Sequence, residues 1–204
     1  MTRPELVILR HGETEWNAAR RWQGALDSPL TRRGERQAHA MGAALARAGI
    51  GPATHRLLSS PQPRARVTAR LAFGREPETD ARLREIEVGA WTGWTLDRIA
   101  AHPAYPREPD LLSVYDAPPG GEGIEALARR CAGMLDALDG PAILVTHGMT
   151  GRMLRTLALG LPLSELPELP AVQGTAIRLR EGREEAVVPG PDDGAPLDPP
   201  PAAG

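Results

Sequence analysis

Two four-residue apolar runs, LVIL at 6–9 and AILV at 142–145, decide most of what this chain can become. Each is too brief for a helix, apolar at every position and followed closely by a glycine, which is the pattern of a strand buried in a parallel sheet. Helical spacing fills the sequence around them. Thr31 stands as a cap before Ala38, Met41, Leu45 and Ala48, and Ile124, Leu127, Cys131, Met134 and Leu138 form a second apolar stripe. A third helix is expected directly after His147, with Met149, Met153, Leu154 and Leu157 on one face and Gly160 with Pro162 as its stop. Together these segments make an α/β layered fold. Residues 175–180 read as a late edge strand, and no internal repeat interrupts the chain. From 189 onward the residues are almost entirely Pro, Gly, Asp and Ala, too poor in apolar area to offset the entropy of ordering. The expected organisation is one domain at 1–188 and a flexible tail at 189–204.

With 204 residues the chain is long enough for one core and short for two. A net charge of −2 offers no global field for nucleic acid or an anionic membrane, so any affinity for anions has to be local. Cys131 is the only cysteine, which excludes an intramolecular disulfide framework and a cysteine zinc cluster and fits a reducing compartment. The N-terminus runs into the first apolar stretch without a signal-peptide pattern, and no apolar run is long enough to span a bilayer. A cytoplasmic location is the expectation.

Chemistry begins where the first strand ends, at RHGET, residues 10–14, and the second strand ends similarly, at His147 and Gly148. In open α/β sheets ligands collect outside the carboxyl ends of the strands, so two strands deliver imidazoles to one crevice. Phosphate chemistry explains this company. Hydrolysis of a phosphate monoester needs acceleration of up to ~10²¹, so several groups must converge. Arginine presents a planar fork matching two phosphoryl oxygens, which makes Arg10 and Arg64 the natural clamp. A neutral imidazole attacks phosphorus through one nitrogen when the proton on the other is held by a backbone carbonyl, and His11 is placed to be that nucleophile. His147 would then hydrogen-bond the transferring oxygens. The leaving alkoxide needs a proton from a partly buried carboxylic acid, for which Glu85 is the candidate.

These residues carry a resemblance. RHGETEWN at 10–17, QGALDSPLTRRGERQA at 23–38, SSPQPRARVTA at 59–69, LREIEVGAWTG at 83–93, PGGE at 119–122 and VTHG at 145–148 occur in the order seen in the histidine phosphatase superfamily, in the branch that includes the cofactor-dependent phosphoglycerate mutases. RHG alone is a weak signal, but six ordered segments spanning most of the chain are specific. The resemblance implies a three-layer α/β/α sandwich with a mostly parallel central sheet. It also implies that Arg10, Arg64, His11 and His147 form the phosphate pocket and that Glu85, four residues before Gly89, is the acid. Asn17, Gln23 and Gly24 become flanking substrate contacts, and Gly148, beside His147, is a further expected substrate contact. Neither a metal nor another cofactor is implied, the partner is a small phosphate ester, and the oligomeric state stays open.

Rival residues sort by spacing. Glu87 lies on the same side of an expected strand as Glu85 but does not match the distance to Gly89. Arg66 would point about 200° from Arg64 in a helix starting near Pro61, and the arginine–alanine pattern selects Arg64. Pro63 is tolerable in a first helical turn. Glu13 reads as a solvated or capping carboxylate, and His39, His55 and His102 as surface residues. Trp16, Trp22, Trp91 and Trp94 stand within or beside the motifs, either packing ordinarily or lining a pocket mouth that stacks on an aromatic or sugar group.

Three alternatives compete with a metal-independent phosphatase. A metallohydrolase lacks support, since there is no HExxH and no close acidic pair after a strand. In a phosphoglycerate mutase the phosphohistidine returns its group to bound substrate, and the mutases grip a second anion with basic residues after the acid motif. Here residues 94–118 supply only Arg98 and Arg107 as fixed positive charges, which favours hydrolysis. A silent phospho-ligand-binding protein would need distorted geometry, because every required residue is present.

Overall fold

The two apolar runs lie side by side in the computed structural model, which describes residues 4–190. In chain order the elements are β1 (Leu6–Arg10), α1 (Glu15–Ala18), α2 (Arg32–Arg47), β2 (Arg56–Ser59), α3 (Pro63–Phe73), β3 (Glu78–Thr79), α4 (Leu96–Ala100), α5 (Leu111–Asp116), α6 (Ile124–Asp136), β4 (Ala142–Thr146), α7 (Gly148–Leu159), β5 (Ala176–Arg180) and β6 (Arg183–Val187). Short 3₁₀ turns occupy Ala81–Leu83, Gly89–Trp91 and Leu163–Glu168. The strands form one mixed sheet in the order β3-β2-β4-β1-β5-β6. β3, β2, β4 and β1 are parallel neighbours, whereas β5 and β6 join antiparallel.

Side-chain alternation explains why β1 is apolar throughout. Leu6 and Ile8 enter a core with Leu127, Met134, Met153 and Leu154 from α6 and α7, while Val7 and Leu9 enter a second core with Met41, Leu45, Ala65 and Ala69 from α2 and α3. Helices thus cover both faces, giving three layers. Deleting a fully buried side chain such as Leu9 to alanine costs ~2–5 kcal/mol.

The expected caps are present. The Thr31 hydroxyl accepts the Gly34 amide at 3.0 Å, Pro63 is the first residue of α3, and Gly160 ends α7 with φ 70°. Ala48 is the exposed C-cap of α2 and not part of its buried stripe, because the helix ends one residue earlier. The segment at 175–180 is a strand but not an edge: β5 lies between β1 and β6, and β6 forms the margin. Nor are two of the three remaining histidines surface residues. His39 is exposed, but His55 bonds Glu5 at 3.2 Å and His102 packs edge-on to Trp91 and Trp94. Among the described residues no helix is long and apolar enough to cross a membrane. The expected tail at 189–204 lies outside the described residues from 191 on.

Candidate active site

Sheet register brings the two imidazoles together. In the parallel pairing Arg10 is opposite Thr146, so the next residues, His11 and His147, leave adjacent strand ends side by side. The His11 amide donates to the Thr146 carbonyl at 2.9 Å, and the ring centroids lie 5.1 Å apart. β2 ends one strand over, where the Ser60 amide bonds Val145 at 2.9 Å, and the chain then turns into α3 with Arg64 in its first turn. Three parallel strand ends therefore supply Arg10, His11, His147 and Arg64.

The backbone around RHG is locked. The Gly12 amide donates to the Thr68 hydroxyl at 3.0 Å. A Cβ on Gly12 would lie 2.2 Å from the Gly34 carbonyl oxygen, so only glycine permits this crossing of the strand end over the start of α2. Glu13 binds the Thr31 hydroxyl at 2.9 Å and Arg33 at 3.3 Å, as a structural carboxylate.

His11 is fixed in one tautomer. Its Nδ1 lies 2.7 Å from the Gly12 carbonyl oxygen, which only accepts, so Nδ1 carries the proton and Nε2 keeps its lone pair. Burial, followed by the charges of Arg64 and Arg10, holds the His11 pKa well below the ordinary 6.5, and burial with Arg64 and His11 does the same to His147. Both rings are neutral at neutral pH. Arg10 is buried and donates to the Ala171 carbonyl. Arg64 is clasped by the 24–27 loop, donating to Leu26 O at 2.7 Å, Asp27 Oδ1 at 2.9 Å and Gly24 O at 3.1 Å. Four buried atoms here have no protein partner: Arg10 Nε, Arg64 Nε, and Nδ1 and Nε2 of His147.

Glu85 arrives on an irregular segment after the 3₁₀ turn, not on the expected strand. Its Oε1 accepts the amides of Ile86 and Thr150, both at 3.1 Å, and contacts the Thr150 hydroxyl at 3.1 Å; Oε2 accepts only the Met149 amide at 3.2 Å. The N-terminus of α7 thus orients the carboxyl and leaves Oε2 beside Arg10 and Gly148. Glu87 is not among the residues lining the cavity over these groups; its backbone amide donates to the carboxylate of Glu122, which Arg130 holds in two bonds of 2.5 and 2.9 Å. Burial alone would raise the Glu122 pKa, but Arg130 brings it below its ordinary value. Arg66 points outward to Glu76 at 3.3 Å.

A cavity of about 690 Å³ opens over these groups, lined by Arg10, His11, Arg64 and Glu85 together with Asn17, Gln23 and Gly24. Asn17 Oδ1 accepts the Thr14 amide at 3.2 Å and the Gln173 amide nitrogen at 2.9 Å. Gln23 Nε2 donates to Thr14 at 2.6 Å, while its buried Oε1 has no partner. Gly24 acts through its carbonyl on Arg64 and on Gln62 at 2.8 Å. Gly148 is not on this wall; it opens α7 behind Arg10, beside a second cavity of about 100 Å³ shared with His147.

Sequence reasoning missed several contributors. Gln62 joins the Gly24 carbonyl to the Glu85 amide at 2.8 Å, and Thr150 secures Glu85. Both sit inside or next to recognised motifs, but nothing in their type announces a bracing role. Tyr115, from a weakly periodic segment, reaches the cavity wall stacked on Trp22 with centroids 4.5 Å apart. Burial, then the Glu85 charge, raises its hydroxyl pKa. Of the four tryptophans only Trp22 lines the cavity. Trp91 is fully buried in a small core with Ile99 and Val114, and Trp94 packs on His102 beneath the Arg98 guanidinium. Among the described residues no cluster of three or more His, Cys, Asp or Glu side chains is arranged to hold a metal ion.

A mixed α/β sheet thus ends in two neutral histidines between two buried arginines. The family model described as histidine phosphatase superfamily (branch 1) matches residues 6–189, and the chain belongs to that superfamily. It is 39% identical over 185 residues to the "Probable phosphoglycerate mutase GpmB" of Yersinia pestis, covering 86% of this chain and 80% of the relative. Among solved structures, TTHB049 from Thermus thermophilus superposes with a TM-score of 0.69 at 36% identity, covering 88% of this chain and 95% of the other. A mycobacterial glucosyl-3-phosphoglycerate phosphatase, Rv2419c, solved with VO3, gives 0.71 at 30% identity, covering 87% and 91%.

Proposed function

We propose that the protein is a metal-independent phosphomonoesterase that acts on a small phosphorylated metabolite through a phosphohistidine on His11. The observation that carries this reading is the group of unpartnered buried atoms on Arg10, Arg64 and His147. A buried donor left unpaired costs about 1–3 kcal/mol, and the non-bridging oxygens of a phosphoryl group supply acceptors to all three residues. His11 Nε2 attacks phosphorus as the ester P–O bond breaks, and Glu85 Oε2 gives its proton to the leaving alkoxide. Water then attacks the phosphohistidine and returns its proton to Glu85. The P–N bond breaks, phosphate leaves and His11 is neutral again. Arg10, Arg64 and His147 stabilise the charge on the equatorial oxygens in both steps.

The VO3 complex of the mycobacterial phosphatase supports an oxyanion pocket of this kind. The name of the Yersinia relative supports a second reading, phosphoryl return to bound substrate. Hydrolysis is favoured because the segment after the acid motif, 94–118, contributes no cation to the cavity wall: Arg98 lies over the Trp94 ring at 3.7 Å, Arg107 is not on the wall, and the cations at the mouth, Arg20 and Arg21, precede that motif.

The test is phosphate release from a panel of phosphomonoesters with chelator present. Wild type is expected to turn over, His11→Ala to lose activity, and Glu85→Gln to fall ~10²–10⁴-fold on alkyl esters but less on p-nitrophenyl phosphate, whose leaving group needs no proton. Loss of activity on chelation, or an active His11→Ala variant, rejects the mechanism. Interconversion of 3- and 2-phosphoglycerate without phosphate release selects the mutase.

A further inference from the structure

The Arg10 guanidinium makes one hydrogen bond with a described residue, to the Ala171 carbonyl, and its buried Nε has no partner. Where that Nε–H points therefore depends on where Ala171 stands. Ala171 belongs to a strap, residues 169–175, that is neither helix nor strand and carries the chain from the Leu163–Glu168 turn to β5. Three successive carbonyls of the strap are each taken by an arginine: Leu169 O by Arg152 Nε at 2.6 Å, Pro170 O by Arg155 Nη1, and Ala171 O by Arg10. Pro170, Ala171 and Val172 also border the cavity of about 100 Å³, together with Ile8 on β1, Gly151 on α7 and Ile177 on β5. Empty space rather than packed side chains lies against the strap there, which leaves the arginine bonds to fix its position.

Arg155 is the arginine of the three that ties the strap to another element. It is buried on α7, and while Nη1 holds Pro170, its Nε and Nη2 grip both oxygens of Glu184 on β6 at 3.0 and 2.8 Å. A planar fork can serve a carbonyl and a carboxylate at once, which a lysine cannot. Arg155 does not line the large cavity, so it has no direct access to substrate.

We propose that Arg155 is a positioning residue for the reaction: braced on Glu184, it fixes the strap at Pro170, and the next carbonyl, Ala171 O, aims Arg10 at the phosphoryl group. This rests on the phosphatase reading for turnover but not for anion binding.

A double-mutant cycle tests it. Arg155→Met keeps the length of the side chain and removes its grip on the strap, while Glu184, partly exposed, is left to solvent. Arg10→Lys keeps a charge beside the phosphoryl group but has neither the fork nor the Nε–H that the strap aims. Three quantities are read for wild type, both single variants and the double variant: kcat/KM on p-nitrophenyl phosphate, calorimetric affinity for inorganic phosphate, and melting temperature. Arg155→Met is expected to lower kcat/KM and phosphate affinity roughly tenfold when Arg10 is present, since small misplacements of a catalytic group are costly. In the Arg10→Lys background the same change should cost less than about twofold, because residues acting through one another are not additive. Its effect on melting temperature should be equal in both backgrounds. Glu184→Ala, a milder cut on the marginal strand, should show the same dependence on Arg10 and decides the matter if Arg155→Met does not fold. Losses that multiply across the two backgrounds overturn the proposal, as does a lower melting temperature with kcat/KM and phosphate affinity unchanged. Wild type that turns over no ester, with phosphate affinities still non-additive, rejects the phosphatase reading alone.

Discussion

His11 and His147 show how position sets the chemistry of a residue. An exposed imidazole exchanges its proton near pH 6.5, but these rings lie buried between cationic arginines, which penalise a further positive charge. Their depressed pKa means that both stay neutral as the pH falls through 6.5. Imidazole nitrogen NMR should show His11 in the Nδ1–H tautomer there and no titration until more acidic pH; protonation at 6.5 contradicts the electrostatics. The sign for stability follows. The unfolded chain takes up these protons near 6.5 and the native one only below it, so the native state loses stability as the pH falls from 6.5 towards the folded values. Residue types alone had limits. Helical geometry separates Arg64 from Arg66 without saying which faces inward; the arginine–alanine pattern selects Arg64, and Arg66 lies on Glu76. Glu85 and Glu87 were separable only by motif spacing, since the expected strand is absent. His55 and His102 looked idle because their partners, Glu5 and two indoles, are distant in sequence.

At the scale of elements, legibility followed the strength of the repeating pattern. β1, β4, α2, α6 and α7 announce themselves through apolar runs or stripes and through caps such as Thr31 and Gly160. β6 reads REEAV and is exposed along most of its length, so nothing apolar in the sequence marks it, and β5 reads as the margin in its place. The segment bearing α4 and α5 is similarly obscure, because short helices folded around one tryptophan leave no periodic stripe. Trp91 is the centre of that small core and its Nε1 has no partner. Trp91→Ala should cost ~3–5 kcal/mol in chemical denaturation. Trp91→Phe should cost much less, because it also removes an unsatisfied donor. Equal losses would mean that the indole N–H is contributing, contrary to its surroundings. Both variants should raise KM, since the Trp22–Tyr115 wall rests on this cluster.

For the molecule as a whole, the two cores on opposite faces of the sheet leave the single thiol inaccessible. Cys131 is fully buried in the α6–α7 core, and burial raises its pKa to about 12. Native protein should resist alkylation while denatured protein reacts at once, as read by intact mass; rapid native labelling would show that this core opens readily. A layered α/β fold follows from strands apolar at every position, and the three-layer arrangement is what the family resemblance adds. A mostly parallel sheet is what the resemblance implies, but the antiparallel β6 beyond β5 is not legible, since the charges along β6 leave no apolar alternation. Those charges have a further consequence. One margin of the sheet is a two-residue strand, Glu78–Thr79, and the other displays Arg183, Glu184 and Glu185. Neither offers a neighbouring molecule a long, neutral row of amides to extend, so the sheet is self-limiting, and fibrillar growth by strand addition is discouraged at both ends.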